Sequence, residues 1–269
     1  MPDITDEALL ACRAEYRVNG VARVRSVFNR NEVNLLRKSA LQALTQLPAI
    51  TQAGYRHAPL ETVRDADGHA SPALVFWPCL ANAAMDALRV DARLQTVVTA
   101  ILGPDVKQLN NQFYYRLPGD SDSFAWHQDI MFRHPLDTYP RIVEDDGYLQ
   151  TAIVVDDMNA HNAPIIFIHG SNHFGDMSLH APGDYSQLRG FARDRLPPLI
   201  RPLQQVEMHA QPGDLLVWSS LTVHGSEANR SDAPRMYYMN GFARARNSEG
   251  WPSYCREGRI VPLDATLLP

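Results

Sequence analysis

Cysteine is scarce in this 269-residue chain: Cys12, Cys79 and Cys255 are widely spread and odd in number. None forms a C-x-x-C pair, so neither a disulfide framework nor a thiolate metal site is expected. Long apolar runs are missing too. Crossing a bilayer as a helix takes about 18 or more consecutive apolar residues, and no such run occurs. The opening Met1-Pro-Asp-Ile-Thr-Asp-Glu7 is acidic and lacks the basic and apolar regions of a signal peptide. Positive charge is not in excess either. The 25 Lys and Arg against 30 Asp and Glu leave a net charge of −5, which argues against a nucleic-acid partner. Internal repeats and low-complexity tracts are absent. What remains is ordinary globular composition, of a length that one decorated β domain can fill. These absences point to a protein of the reducing cytoplasm, monomeric or homodimeric, with neither membrane nor nucleic acid as a partner.

The first part of the chain reads as helical. Ile4 to Tyr16 has helical apolar spacing with Thr5 and Asp6 as caps, and Gly20-Val-Ala-Arg-Val24 reads as a strand. Asn29 or Asn31 then caps a helix from about Glu32 to Gln46. Its apolar stripe is Val33, Leu35, Leu36, Ala40, Leu41 and Leu44, and Pro48 is expected to end it. Thr51 to Pro72 reads as a polar loop. Cys79–Arg89 and Asp91–Leu102 read as two more helices, the second closed by Gly103-Pro104. From Val106 the pattern changes to short β-prone runs separated by Pro, Gly, Asp and Asn. Helices first and strands later give a mainly β (α+β) fold, a barrel or sandwich with helices packed on one side. Pro182 to Pro202 reads as an insert between strands. The expected organisation is a single domain over 1–269, with a helical part to about 105, a β core over 106–243 and a tail over 244–269.

The chemistry concentrates in two segments. One is Trp126-His127-Gln128-Asp129, and the other is His224-Gly225-Ser226 with Arg235 eleven residues past the imidazole. A lone H-x-D among ten His would be close to a chance event. The neighbouring sequence raises its weight. Gln112 to Gly119 reads as a strand ended by a Pro-Gly turn, Gly213 to Trp218 as an apolar strand entered from a turn, and Pro234 to Gly241 as another strand. In an H-x-D on a strand or at its end, both side chains fall on one face. Two imidazoles and one carboxylate form the facial triad that holds non-haem Fe(II) with open positions. A guanidinium on the following strand is placed to grip a dicarboxylate through its planar fork.

Four stretches, in order, resemble the phytanoyl-CoA dioxygenase family of Fe(II)- and 2-oxoglutarate-dependent oxygenases. They are Tyr114 to Gly119, Trp126 to Asp129, Val155 to Asn162 leading to Ile168-His-Gly-Ser171, and His224 to Arg235. The resemblance covers roughly Gln108 to Ala243. It departs at His169-Gly-Ser-Asn-His173, where the family usually has Pro-Gly-Ser-His. The resemblance implies a double-stranded β-helix, a cupin-like jelly roll, from about Val106 to Ala243 with the N-terminal helices on one sheet. It implies His127, Asp129 and His224 as Fe(2+) ligands, with 2-oxoglutarate and O2 as co-substrates and a small molecule as substrate. Halogenating relatives lack the carboxylate, so Asp129 favours hydroxylation or desaturation, and Fe(II) is most easily kept reduced in a cytoplasm.

Arg235 is expected to hold the distal carboxylate of 2-oxoglutarate, with Ser226 adding a hydroxyl. Alternation along Leu109 to Tyr115 groups Asn110, Gln112 and Tyr114, and the last two are assigned to co-substrate contacts together with Thr151. Arg116 is read as a surface residue. Trp126, Met131, Phe132, His134, Trp218, Tyr237 and Met239 are candidates for the substrate cavity wall, although such residues are often simply core. Two other readings remain: a cupin-type metal enzyme that does not use 2-oxoglutarate, and a non-catalytic barrel that binds a ligand.

Overall fold

The computed structural model describes residues 4–52, 61–64, 70–116, 118, 124–133, 139–144, 146–177 and 196–268. The chain enters through helix α1 (Asp6–Asn19), whose first turn is capped by Thr5 accepting from the Ala8 N–H. Gly20, at φ 76°, stops the helix in the left-handed region that glycine adopts freely. Strand β1 (Val21–Val24) follows at once. Helix α2 (Arg30–Gln52) starts at a reciprocal cap: Asn29 Oδ1 accepts from the N–H of Asn31 and Glu32, and Glu32 Oε2 accepts from the Asn29 N–H.

Two expectations for α2 fail. The helix runs past Pro48 to Gln52, because an interior proline removes one backbone donor and crowds one carbonyl without forbidding further turns. Its buried stripe is also narrower than expected. Val33, Leu36 and Ala40 are buried, whereas Leu35 and Leu41 are 52% and 48% exposed. The expected loop over 51–72 is not one throughout either. Strands β2 (Glu61–Arg64) and β3 (Ala70–Phe76) pair there, and β3 goes on to pair with the next strand. Helices α3 (Ala83–Arg89) and α4 (Ala92–Leu102) are capped by Asn82 and Asp91. The expected Cys79–Arg89 helix is split, its start being a separate turn at Pro78–Leu80.

The remaining strands are β4 (Val106–Arg116), β5 (Phe124–His127), β6 (Leu149–Val154), β7 (Ile165–Ile168), β8 (Gln205–Glu207), β9 (Leu215–Ser219), β10 (His224–Ser226), β11 (Arg235–Arg244), β12 (Ser253–Arg256) and β13 (Arg259–Ile260). A short helix, α5 (Tyr139–Glu144), precedes β6. The large sheet runs β1-β9-β6-β11-β4, and the far edge of β4 is shared by β12 at one end and β3 at the other. The small sheet runs β5-β10-β7-β8. Together they form the mainly antiparallel half-barrel of a cupin-type jelly roll. The sheet also reaches beyond 106–243. β1 and β3 come from the part expected to be helical, and β12 and β13 from the part expected to be a tail.

Strand alternation sorts the two faces of the large sheet. On β11, Met236, Tyr238 and Phe242 join Leu36, Met85, Leu94 and Val97 of the helices in one apolar cluster. Tyr237 and Met239 turn the other way and pack with Ile165 and Phe167 of the small sheet. Helices therefore cover the outer face and leave the inner face to line a cavity. No helix among the described residues is long and apolar enough to cross a membrane.

Candidate metal centre and cavity

His127 ends β5, His224 opens β10, and the two are direct cross-strand partners. That register brings their ring centroids to 4.1 Å. Asp129 begins the 3-10 turn Asp129–Arg133 just after β5. The residue between the two ligands, Gln128, holds that turn in place. It is fully buried, donates to the carbonyls of Gly175 and Leu221, and accepts from the Met177 N–H. His127 Nε2 lies 3.5 Å from Asp129 Oδ1, and His224 Nε2 lies 3.7 Å from Asp129 Oδ2.

Each imidazole is pinned through its other nitrogen. His127 Nδ1 is 2.8 Å from the Ala125 carbonyl and His224 Nδ1 is 2.9 Å from the Thr222 carbonyl. A carbonyl only accepts, so each Nδ1 carries a proton and each Nε2 is left turned toward the carboxylate. Asp129 is oriented from behind by Trp218 Nε1, which donates to Oδ2 at 2.8 Å, and its backbone carbonyl accepts from Tyr148 OH. Burial pushes His224 down to about 4, with His127 adding to the effect. Burial opposes ionisation of Asp129, yet the His224 and His127 rings and the Trp218 donor hold its carboxyl down at about 2. Asp129 is thus held as a carboxylate and His224 as a neutral imidazole, the forms in which such groups bind a divalent ion.

The donor set fits such an ion. The ligand atoms of His127, Asp129 and His224 all lie within 4.8 Å of one another. Two bonds of about 2.1 Å each to one centre keep ligand atoms within about 4.2 Å, and both measured nitrogen–oxygen pairs satisfy that. Among the described residues no other trio of His, Cys, Asp or Glu converges in this way.

The site opens into a cavity of about 330 Å³ between the sheets. Phe132, Trp218, Tyr237 and Met239 line it as expected, and so do Gln112, Tyr114 and Ser226. Trp126 does not. It packs behind the small sheet with Ile166, Ile168 and Val223. Alternation sends it there, because it neighbours the inward His127; a bulge in β5, where two steps of β10 span three of β5, turns Phe124 inward as well. Gly225 allows this close approach, since a Cβ there would stand 2.8 Å from the Phe124 carbonyl oxygen. Met131 is buried under the turn, its sulfur beside the Gln128 N–H, and does not line the cavity. His134 lies outside the described residues, as does most of the 182–202 insert.

Thr151 is a second correction. It shares parity with Ile153, which packs against the helices, and its hydroxyl donates to the Asn240 carbonyl. Its neighbour Gln150 faces the cavity instead. Arg116 is a third, being 2% exposed rather than a surface residue. It is the cross-strand partner of Arg235, itself fully buried. Both guanidinium groups lie within 6 Å of the Tyr114 ring, which stacks on Tyr237 at 4.8 Å. Arg235 Nη2 is 3.4 Å from Ser226 Oγ. Strand parity alone puts Arg116 with Gln112 and Tyr114, so that signal was present in the sequence. Trp77, Tyr148 and Trp251 also line the cavity, and no local pattern marks them. The departing segment His169-Gly-Ser-Asn-His173 forms a 3-10 turn, whose Ser171 hydroxyl accepts from the Val223 N–H next to His224.

Known proteins agree with this geometry. The profile of the phytanoyl-CoA dioxygenase (PhyH) family matches residues 16–237. The ectoine dioxygenase of Sphingopyxis alaskensis is 23% identical over 241 residues, covering 86% of this chain and 75% of that protein. The crystal structure of EctD from S. alaskensis with 2-oxoglutarate and 5-hydroxyectoine superposes with a TM-score of 0.72 at 22% identity, over 98% of this chain and 89% of that one. The α-ketoglutarate-dependent epimerase SnoN from nogalamycin biosynthesis gives a TM-score of 0.65 at 18% identity, over 96% and 88%. The chain belongs to the phytanoyl-CoA dioxygenase family of Fe(II)- and 2-oxoglutarate-dependent oxygenases.

Proposed function

We propose that this protein is a non-haem Fe(II)- and 2-oxoglutarate-dependent dioxygenase that hydroxylates, or otherwise oxidises, a small molecule held in the cavity. His127, Asp129 and His224 would hold the metal, and the reading rests on the way their pinned imidazoles and oriented carboxylate converge at one end of that cavity. Iron, when bound with 2-oxoglutarate, supplies O2 activation: one oxygen atom goes into succinate as CO2 leaves, and the other oxidises the substrate.

The chain's own groups bind and orient. Arg235, with the Ser226 hydroxyl at its side, is the anchor for the distal carboxylate, and Arg116 adds a second guanidinium on the same face. Tyr114 and Tyr237 form an aromatic wall under both guanidinium groups and keep water from that end. Gln112 stands one row further along β4, where its Nε2 reaches Met239 Sδ. A protein without 2-oxoglutarate chemistry would have little use for a buried, twin-guanidinium pocket beside a facial triad.

The test is anaerobic addition of Fe(II) and then 2-oxoglutarate, followed by their charge-transfer absorption, and then admission of O2 with assay of succinate and CO2. We expect the absorption and one succinate per CO2, both lost in His127→Ala, Asp129→Ala and His224→Ala while the fold remains. Iron binding without any 2-oxoglutarate-dependent band would instead favour a cupin-type enzyme that does not use the 2-oxoacid. Absence of iron binding would favour a non-catalytic barrel.

A further inference from the structure

The cavity has two chemically different ends. Along β11 the inward residues run Arg235, Tyr237, Met239 and Gly241, and six residues of strand separate the first from the last by about 20 Å. Toward the Arg235 end, the buried Arg235 and Arg116 guanidinium groups lie against the Tyr114 and Tyr237 rings. At the Gly241 end, register places four residues side by side across four strands: Trp218, Gln150, Gly241 and Asn110. The Cα atoms of Gln150 and Asn110 thus flank that of a glycine, about 10 Å apart at strand spacing, with an indole beyond Gln150.

The glycine is needed there. A Cβ on residue 241 would stand 2.7 Å from Gln150 Oε1 and 2.9 Å from Asn110 Cβ. Gln150 is 2% exposed and lines the cavity, and its Oε1 is buried with no hydrogen-bond partner among the described residues. A buried acceptor left unmade is costly, so a residue of the cavity wall that keeps one gains a hydrogen bond when a small turn of its carboxamide meets a ligand donor. The walls around it, Trp218, Tyr148 and Trp251, are aromatic. Neither the row Trp218, Gln150, Gly241 and Asn110 nor these walls carry a charged side chain, so a charge brought to this end meets no counter-ion from them.

We infer that the Gln150–Gly241–Asn110 slot is the substrate-orienting subsite, and that it takes an uncharged, ring-sized molecule presenting an N–H or O–H donor to Gln150. Trp218 forms the side of the slot and also holds Asp129, so a molecule seated there lies against the metal centre. Its polar edge faces away from the Arg235 end. The word substrate rests on the oxygenase reading above; the slot itself does not require iron.

The probe is 2-quinolone, a neutral bicyclic lactam with one N–H. It is compared with N-methyl-2-quinolone, which lacks the donor, and 1-methylquinolinium, which carries a charge. Binding is followed by tryptophan fluorescence, since Trp77, Trp218 and Trp251 line the cavity, in the full-length protein with Fe(II) and 2-oxoglutarate under anaerobic conditions and again without metal. We expect 2-quinolone to bind at least about tenfold more tightly than either analogue, the size of one unmade hydrogen bond at a buried group. Gln150→Leu should remove that preference and leave N-methyl-2-quinolone binding where it was. Gly241→Ala, which forces Gln150 aside, should weaken 2-quinolone while the Fe(II)–2-oxoglutarate absorption persists.

Equal or tighter binding of 1-methylquinolinium would overturn the inference, because the aromatic walls would then be selecting a cation. So would failure of 2-quinolone to bind at millimolar concentration, or a preference that survives in a folded Gln150→Leu protein. Selective 2-quinolone binding without any 2-oxoglutarate-dependent band would leave the slot standing and remove only the oxygenase reading.

Discussion

Trp218→Phe removes one indole N–H and keeps an aromatic ring in its place. Trp218 Nε1 donates to Asp129 Oδ2 over 2.8 Å where both residues are buried. A hydrogen bond to a charged acceptor contributes about 1.5–3 kcal/mol, which corresponds to about ten- to hundredfold in an equilibrium constant. Partners that orient a metal ligand typically change metal affinity by about the same factor when removed. We therefore expect the Fe(II) dissociation constant to rise about ten- to hundredfold. The constant for 2-oxoglutarate, measured at saturating iron, should hold, because the indole lies several residues along the sheet from Arg235. The assay is an anaerobic Fe(II) titration read through the charge-transfer absorption. Thermal unfolding in parallel guards against collapse, since a smaller ring leaves space at a site only 1% exposed. A folded Trp218→Phe protein with an unchanged Fe(II) constant would refute the argument and assign the orientation of Asp129 to the Gln128 clamp and the Tyr148 bond alone.

Three further outcomes follow from other parts of the molecule. Arg235→Lys keeps the charge but loses the planar fork, so the apparent constant for 2-oxoglutarate should rise about ten- to hundredfold at unchanged iron affinity; Ser226→Ala should do the same more weakly, and steady-state titration decides. Arg93 bonds both Glu32 and Asp91 at 2.7 Å. Burial works against ionisation of both carboxylates, yet Arg93 holds both below their ordinary range, so their stabilising effect is present above an unfolded-state value of about 4 and lost as pH falls through the lowered folded-state values. Denaturant unfolding should accordingly show the gap between the parent and Arg93→Met closing below about pH 4, and a gap independent of pH would refute this. Gly213 sits at φ +93° against the Phe28 carbonyl, so Gly213→Ala should cost more than about 1 kcal/mol in chemical denaturation; no measurable loss would mean that the turn into β9 relaxes freely.

The converging trio His127, Asp129 and His224 was legible because H-x-D at a strand end and a distant His are local signals whose meaning survives folding. The cap at Thr5, and Asn29 as one of two candidates for the next helix, were legible for the same reason. What failed depended on register or on distant partners. Thr151 and Gln150 differ by one residue, and a one-residue slip exchanges the faces of a strand. Trp126 was misassigned by its nearness to the ligands, although alternation from His127 already turns it to the opposite face. Leu35 and Leu41 satisfied helical spacing, but only the arc carrying Val33, Leu36 and Ala40 meets the sheet. Arg116 was read as a surface residue, and strand parity with Tyr114 would have been the better guide. Trp251 reaches the cavity from beyond the expected core through contacts that span most of the chain, which no local pattern carries.

The Thr222 side chain sits between the start of the chain and the second imidazole. Its hydroxyl donates to the Gly20 carbonyl, which also accepts from the Ser219 N–H, while its own carbonyl receives the His224 Nδ1 proton. The first strand and the ring therefore share a junction two bonds long. Any ligand that steadies His224 must, by reciprocity, raise the cost of opening β1 at the sheet edge. Amide protons of Val21 to Val24 should then exchange more slowly when the centre is loaded, making an edge strand with no atom in the cavity a reporter of what the cavity holds.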